Sequence, residues 1–219
     1  MADIFLSIPE KNLISPSDFS TLIPEIKKKF GPYLKFASEN SKIPVEVLAS
    51  FIAVESGGNP KAGMNLVTTG LMQWNRNFAA NSLEGEKRLG RLTPAEQEKL
   101  ASFGITFDKN GKTRQITQAD QIKPELNILI GSIILGQLAD SLFDGGKFQG
   151  KWAVDSNNKL RLDRMIAVYN AGPYGNIGNL ARKGNHATPY DLAQAVKNPV
   201  TKSYIAKILG RNGAMDVQK

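Results

Sequence analysis

Cysteine is absent and histidine occurs once, at His186. Without a thiol there is no disulfide and no thiolate nucleophile. Zinc takes about three or four protein ligands from Cys, His and carboxylates, so one histidine argues against a zinc centre. Neither a metal nor a cofactor is expected. His186 sits in a Gly/Asn/Thr/Pro loop with no identifiable nucleophile beside it and reads as a loop residue. Long basic runs are missing too. None exceeds Lys27-Lys28-Lys29, which leaves no dense arm for nucleic acid. Long apolar runs are equally scarce. The segment ILIGSIILGQLADSLF from Ile128 is interrupted by Ser132, Gln137 and Asp140, so it reads as a buried core helix and no transmembrane segment is expected. The start, MADIFLSIPEKN, lacks the basic opening and the apolar length of a secretory signal.

What remains is an ordinary globular composition with a basic excess. The 219 residues suffice for a sizeable core, 41% are hydrophobic, and 28 Lys+Arg against 20 Asp+Glu give a formal net charge of +8. Such a surface favours an anionic partner. Apolar spacing and caps predict helices over 16–30, with Pro24 dividing it, then from Pro32 to Lys42, and over 93–103, 118–143, 159–170 and 199–209. Gly31-Pro32 reads as a break and 60–70 as a loop. Asn110-Gly111, between alternating segments, is a hairpin signal. DKNG at 108 has its glycine too early for a calcium loop. GPYGNIG at 172 follows a helical pattern rather than a strand, which makes a phosphate cradle a poor reading. The domain organisation expected is an N-terminal extension over 1–30, one domain over 31–210 and a tail over 211–219.

The most informative segment is PVEVLASFIAVESGGN at 44–59. Pro44 suits a first helical turn, and Val45, Leu48, Phe51 and Ile52 form an apolar stripe. Glu55 follows Ile52 by three positions and Phe51 by four, on the same side. Gly57-Gly58 ends the helix directly afterwards. Burial and the negative end of the helix dipole both favour the protonated form of a carboxyl placed there. A carboxyl that keeps its proton near neutral pH is suited to general acid chemistry.

Three further segments follow it in order: GLMQ at 70–73, NILIG at 127–131 and AVYNAGPYG at 167–175. Together with Glu55-Ser56 and the later Tyr204 in KSYIAKIL, they resemble the soluble lytic transglycosylase family, over roughly residues 35–210. The resemblance implies a mainly α, lysozyme-like domain carrying a small β-hairpin. It implies cleavage of the β-1,4 bond between N-acetylmuramic acid and N-acetylglucosamine in peptidoglycan. Glu55 would protonate the glycosidic oxygen and then, as a base, accept the proton of the muramyl C6 hydroxyl as it attacks C1. The product would be a 1,6-anhydromuramyl end. By the same resemblance Ser56 would contact the acid or the muramyl unit, and Gly70 would admit sugar close to the backbone. Met72 would touch substrate or floor the cleft, and Gln73 would hydrogen-bond sugar. Tyr169 would bring its hydroxyl near Glu55, and Asn170 would bind an acetamido group. Plain structural roles compete at several of these: a cap hydroxyl for Ser56, a turn glycine for Gly70, core packing for Met72.

The match has departures. Thr68-Thr69 precede GLMQ where the family often has alanine, and Trp74-Asn75-Arg76 replace its usual continuation. Trp74 is either a sugar platform or a core residue. Residues 76–120 have no familiar counterpart. A goose-type lysozyme, a hydrolase on the same fold, is the first alternative. It needs a second carboxylate to activate water, and no Asp or Glu lies between Glu55 and Gln73, while Asn75 stands where such lysozymes commonly have aspartate. Asp108 or Asp120 could supply the group by folding back. A non-catalytic wall-binding virion protein is the second alternative. The expected partners are peptidoglycan strands, not nucleic acid, with other virion proteins as a further expectation. The absence of a recognisable signal leads to the expectation of a bacteriophage enzyme, carried in the virion or held in the host cytoplasm as an endolysin.

Overall fold

The computed structural model describes residues 16–64, 66–143, 162–172, 176–177, 192, 195–209 and 213–218. His186, the N-terminal segment, Asn65 and most of GPYGNIG lie outside them. The described residues are mainly helical, as the sequence predicts. The chain divides into two compact units, one over Leu22–Gln137 and one formed by Met1–Thr21 with Leu138–Lys219.

Helix α1, Pro16–Ser41, runs without interruption through Pro24, Gly31 and Pro32. The expected break at Gly31-Pro32 therefore does not occur, and the expected boundary at 30/31 falls inside a helix. An interior proline costs about 3 kcal/mol. Against this, Ile23, Ile26, Phe30, Leu34 and Ala37 recur at helical spacing and are all buried. Burying a large apolar side chain contributes about 1.5–3 kcal/mol, so the stripe outweighs the prolines.

Helix α2, Val45–Ser56, differs from the one-sided helix expected. Every residue from Val47 to Ala53 is buried, so the helix is enclosed on all sides. Small residues at Ala49, Ser50 and Ala53 let neighbours close over the face opposite Leu48 and Ile52. The helix stops where predicted: Gly57 adopts φ 58° and donates its N–H to the Ala53 carbonyl.

Helix α3, Arg76–Arg88, was not foreseen. Its start is set by Asn75, whose side chain accepts from the N–H groups of Asn77 and Phe78. Helix α4, Pro94–Ser102, opens with a Thr93–Glu96 capping box. The predicted helix over 118–143 is two: α5, Gln118–Gln121, and α6, Pro124–Phe143. The residue before a proline avoids helical backbone, which separates them at Lys123.

Between α4 and α5 the predicted hairpin is only a turn. Asp108 and Lys112 close it, with a single antiparallel bridge between Phe107 and Thr113. The ladder does not extend: the Thr113 N–H goes to Glu84 of α3 and the Gln115 carbonyl to the Arg114 side chain. The Glu84 carboxylate accepts from the Thr113 N–H at 3.2 Å and from the Lys112 ammonium at 2.6 Å. Arg114 donates to the carbonyls of Phe103, Gly104 and Gln115 and to Asp120.

In the other unit, helix α7, Leu162–Ala171, packs with helix α8, Pro199–Leu209, before a short 3₁₀ turn at Asp216–Gln218. Met165, Ile166, Val168, Ile205 and Ile208 are buried there.

Candidate functional site

The larger unit places Glu55 as the penultimate residue of α2, half-buried at the helix end. Ser56 closes the helix beside it. Its hydroxyl donates to the Ile52 carbonyl at 3.0 Å and accepts from the Gly58 N–H at 3.2 Å. The hydroxyl thus has a local structural use, the cap-like role weighed for it. From this point two consecutive turns lead onward, Asn59 N–H to Ser56 carbonyl and Ala62 N–H to Asn59 carbonyl. Ala62 in turn meets the GLMQ segment through the Gly70 N–H.

The GLMQ segment forms a turn bracketed by two left-handed residues, Gly70 at φ 94° and Gln73 at φ 47°. Glycine tolerates this freely, whereas a residue with a side chain does so only under constraint. Between them Leu71 and Met72 are fully buried. Gln73 is half-buried, and its Nε2 donates to two backbone carbonyls, Ala62 at 2.8 Å and Gly70 at 2.7 Å. The amide nitrogen therefore faces the carbonyls and Oε1 faces away from that pairing.

A side chain at position 70 is forbidden by the protein itself. A Cβ there would fall 2.3 Å from both Asn127 Nδ2 and the Gln121 carbonyl. Packing explains this glycine without any approach by sugar. Met72 likewise belongs to the core. A Cβ on Gly131 would lie 2.3 Å from the Met72 sulfur, so the glycine of NILIG is the seat on which Met72 rests. Being fully buried, Met72 supports the turn from below. Trp74 is a core residue and not a platform: it is 3% exposed and donates its indole N–H to the Asn127 carbonyl at 3.0 Å.

Asn127, marked in the sequence only by its place in NILIG, organises this turn. Its Oδ1 accepts from the Met72 N–H at 2.8 Å. Its Nδ2 donates to the carbonyls of Thr69 at 3.3 Å and Gln121 at 2.8 Å. The signal available in the sequence was a polar residue within an apolar helical segment, PELNILIG; the structure buries it fully, so it must find partners. Gln121 adds a further tie from its Nε2 to the Trp74 carbonyl at 2.8 Å. Ahead of the turn, Met64, Leu66 and Val67 stand exposed on the 57–69 loop.

The two aspartates considered as a second carboxylate are engaged elsewhere. Asp108 is exposed, and its Oδ1 accepts from the N–H groups of Asn110 and Lys112. Asp120 is buried. Burial alone would raise its pKa, but two contacts from Arg114, the Thr117 N–H and hydroxyl, and Lys123 outweigh it and hold the carboxyl well below the usual range. A carboxylate so encircled is a poor base for water.

In the other unit, Tyr169 is half-buried near the end of α7 and Asn170 is exposed. The Asn170 side-chain oxygen accepts the Thr201 hydroxyl of α8 at 2.8 Å, and Tyr204 of α8 is 7% exposed. Among the described residues no cluster of three or more His, Cys, Asp or Glu could hold a metal ion, and no helix is long and apolar enough to cross a membrane.

No protein-family model matches the chain, and no curated protein does. Among solved structures, the chain is similar to an inactive mutant of the lytic transglycosylase Slt from Pseudomonas aeruginosa, with 19% sequence identity and a TM-score of 0.49. That similarity covers 80% of this chain and 22% of the other, so the chain spans about a fifth of that protein's length.

Proposed function

We propose that the chain is a peptidoglycan lytic transglycosylase with a lysozyme-like catalytic domain, in which Glu55 acts first as general acid and then as base. The observation that carries this reading is the assembly around the end of α2. Glu55, set two residues before a left-handed glycine cap, is joined by two short turns to a strained, doubly stapled Gln73. Strain at a half-buried polar residue is a feature of functional sites. The residues concerned lie in the motifs that carry the sequence resemblance.

In this mechanism the Glu55 carboxyl protonates the glycosidic oxygen as the bond to C1 of the muramyl unit breaks. The resulting carboxylate accepts the proton of the C6 hydroxyl, whose oxygen bonds to C1. No water is consumed, and intramolecular attack gains from proximity. Gln73 binds sugar through its amide, and the substrate-binding role of Tyr169 and Asn170 rests on the resemblance of the AVYNAGPYG segment alone. The local engagement of Asp108 and Asp120 supports this over the goose-type hydrolase, which needs a carboxylate free to activate water. Clearing of purified sacculi by the intact protein, and its loss on Glu55→Gln, tests the reading. Persistent clearing by a folded Glu55→Gln protein would remove Glu55 from the mechanism. The assignment to a phage virion or to an endolysin is a further proposal. Detection of the protein in purified virions distinguishes the two.

A further inference from the structure

We infer that Asn127 is a positioning residue: it holds Gln73 in its left-handed backbone, so that the side-chain amide presents one unengaged acceptor, Oε1, to a donor group of the substrate. This rests on the proposed role of Gln73 as a sugar ligand. Gln73 is one of two residues other than glycine with positive φ among those described. Such a conformation persists only when its surroundings over-determine it. Asn127 supplies that constraint on both flanks. Before Gln73 its side chain binds the Thr69 carbonyl and the Met72 N–H, and after it the Asn127 backbone carbonyl, which Asn127→Ala leaves in place, accepts the indole N–H of Trp74. The Gln73 Nε2 is then spent on Ala62 and Gly70, which fixes the orientation of the amide. Oε1 receives no hydrogen bond among the described residues. Gly63 leaves room for it, since a Cβ there would fall 2.6 Å away. An acceptor of this kind suits a hydroxyl or an acetamido N–H of a glycan and would repel a carboxylate.

The test is a double-mutant cycle on kcat/KM for sacculus digestion, using Asn127→Ala, Gln73→Ala and the pair. If Asn127 acts through Gln73, each single change lowers kcat/KM by at least about tenfold, and the pair is little worse than Gln73→Ala alone. Multiplicative losses would show a merely structural Asn127 and overturn the inference. Should Asn127→Ala not fold, Gly70→Ala, whose Cβ would fall 2.3 Å from Asn127 Nδ2, presses on the Asn127 amide and should lower kcat/KM likewise; an unchanged kcat/KM would overturn the inference. A second readout needs no activity. The Gln73 side-chain amide protons should exchange slowly in the native protein and rapidly after either change. Fast exchange in the native protein contradicts the inference, even if the wall is cleaved. A protein that fails to cleave sacculi, yet shows the protected amide, contradicts the proposed function and leaves the positioning intact.

Discussion

At the scale of single residues, the account turns on how carboxylates are used. Glu55 lies half-buried at a helix end, while Asp120 is buried and surrounded by donors. Glu55→Gln keeps the shape and removes the transferable proton. A loss of ~10²–10⁴-fold in wall cleavage is expected, with an unchanged far-UV circular dichroism spectrum. Asp120 makes a different prediction, about stability. Its folded pKa is depressed, so its contribution is fully present above the ordinary carboxylate pKa and is lost as pH falls towards the folded value. The unfolding midpoint should therefore drop below about pH 4, and this drop should be much smaller in Asp120→Asn. At neutral pH that variant should lose about 2 kcal/mol. The estimate lies below the 3–5 kcal/mol typical of a fully buried pair because the Arg114 side chain is 37% exposed. Glu96 acts with the opposite sign. Burial raises its pKa, so its cost at neutral pH is relieved as the solution is acidified. A midpoint indifferent to Asp120→Asn at every pH would show that the network around it adds nothing.

At the scale of elements, the sequence was read well where a local cause decides the outcome. Gly57 ends α2, Thr93 starts α4 and Pro199 opens α8 as expected. It was read less well where tertiary packing overrides a local preference. Pro32 is a breaker by its chemistry, yet the buried stripe of α1 carries the helix past it. Asn110-Gly111 forms its turn, but the side chains of Glu84 in α3 and of Arg114 occupy backbone groups a hairpin needs. At the candidate site, the residue types were legible and their allegiance was not. Met72, Gly70 and Trp74 answer to α6, which lies more than fifty positions further along the chain. That dependence is testable at the contact between Met72 and Gly131. Gly131→Ala places a methyl group against Met72 and should cost about 1–3 kcal/mol of stability by overpacking, measured by denaturant unfolding. Met72→Ala in the same chain should recover part of that loss. If the double variant is as unstable as the sum of the singles, the turn does not rest on α6 in the way described.

At the scale of the whole molecule, two properties bear on how the protein meets a polymer. Its formal charge is +8, and bacterial wall polymers are anionic. Screening over about 8 Å at physiological ionic strength should weaken binding to sacculi as salt is added. A binding isotherm unchanged between low and high salt would make the basic excess incidental. The second property is the chemistry of the product, which separates the two enzymes compatible with Glu55. The groups near its motif are Ser56, Asn59, Gln73 and Asn75, all four already bonded to the backbone, and the acids at 108 and 120 are held elsewhere. In the proposed mechanism no carboxylate activates water, and the sugar's own C6 hydroxyl is the nucleophile. Mass spectrometry of muropeptides released from purified sacculi tests this most directly. The account predicts 1,6-anhydromuramyl ends, each lighter by one water than the hydrolysed form; a digest dominated by reducing muramic acid ends would contradict it.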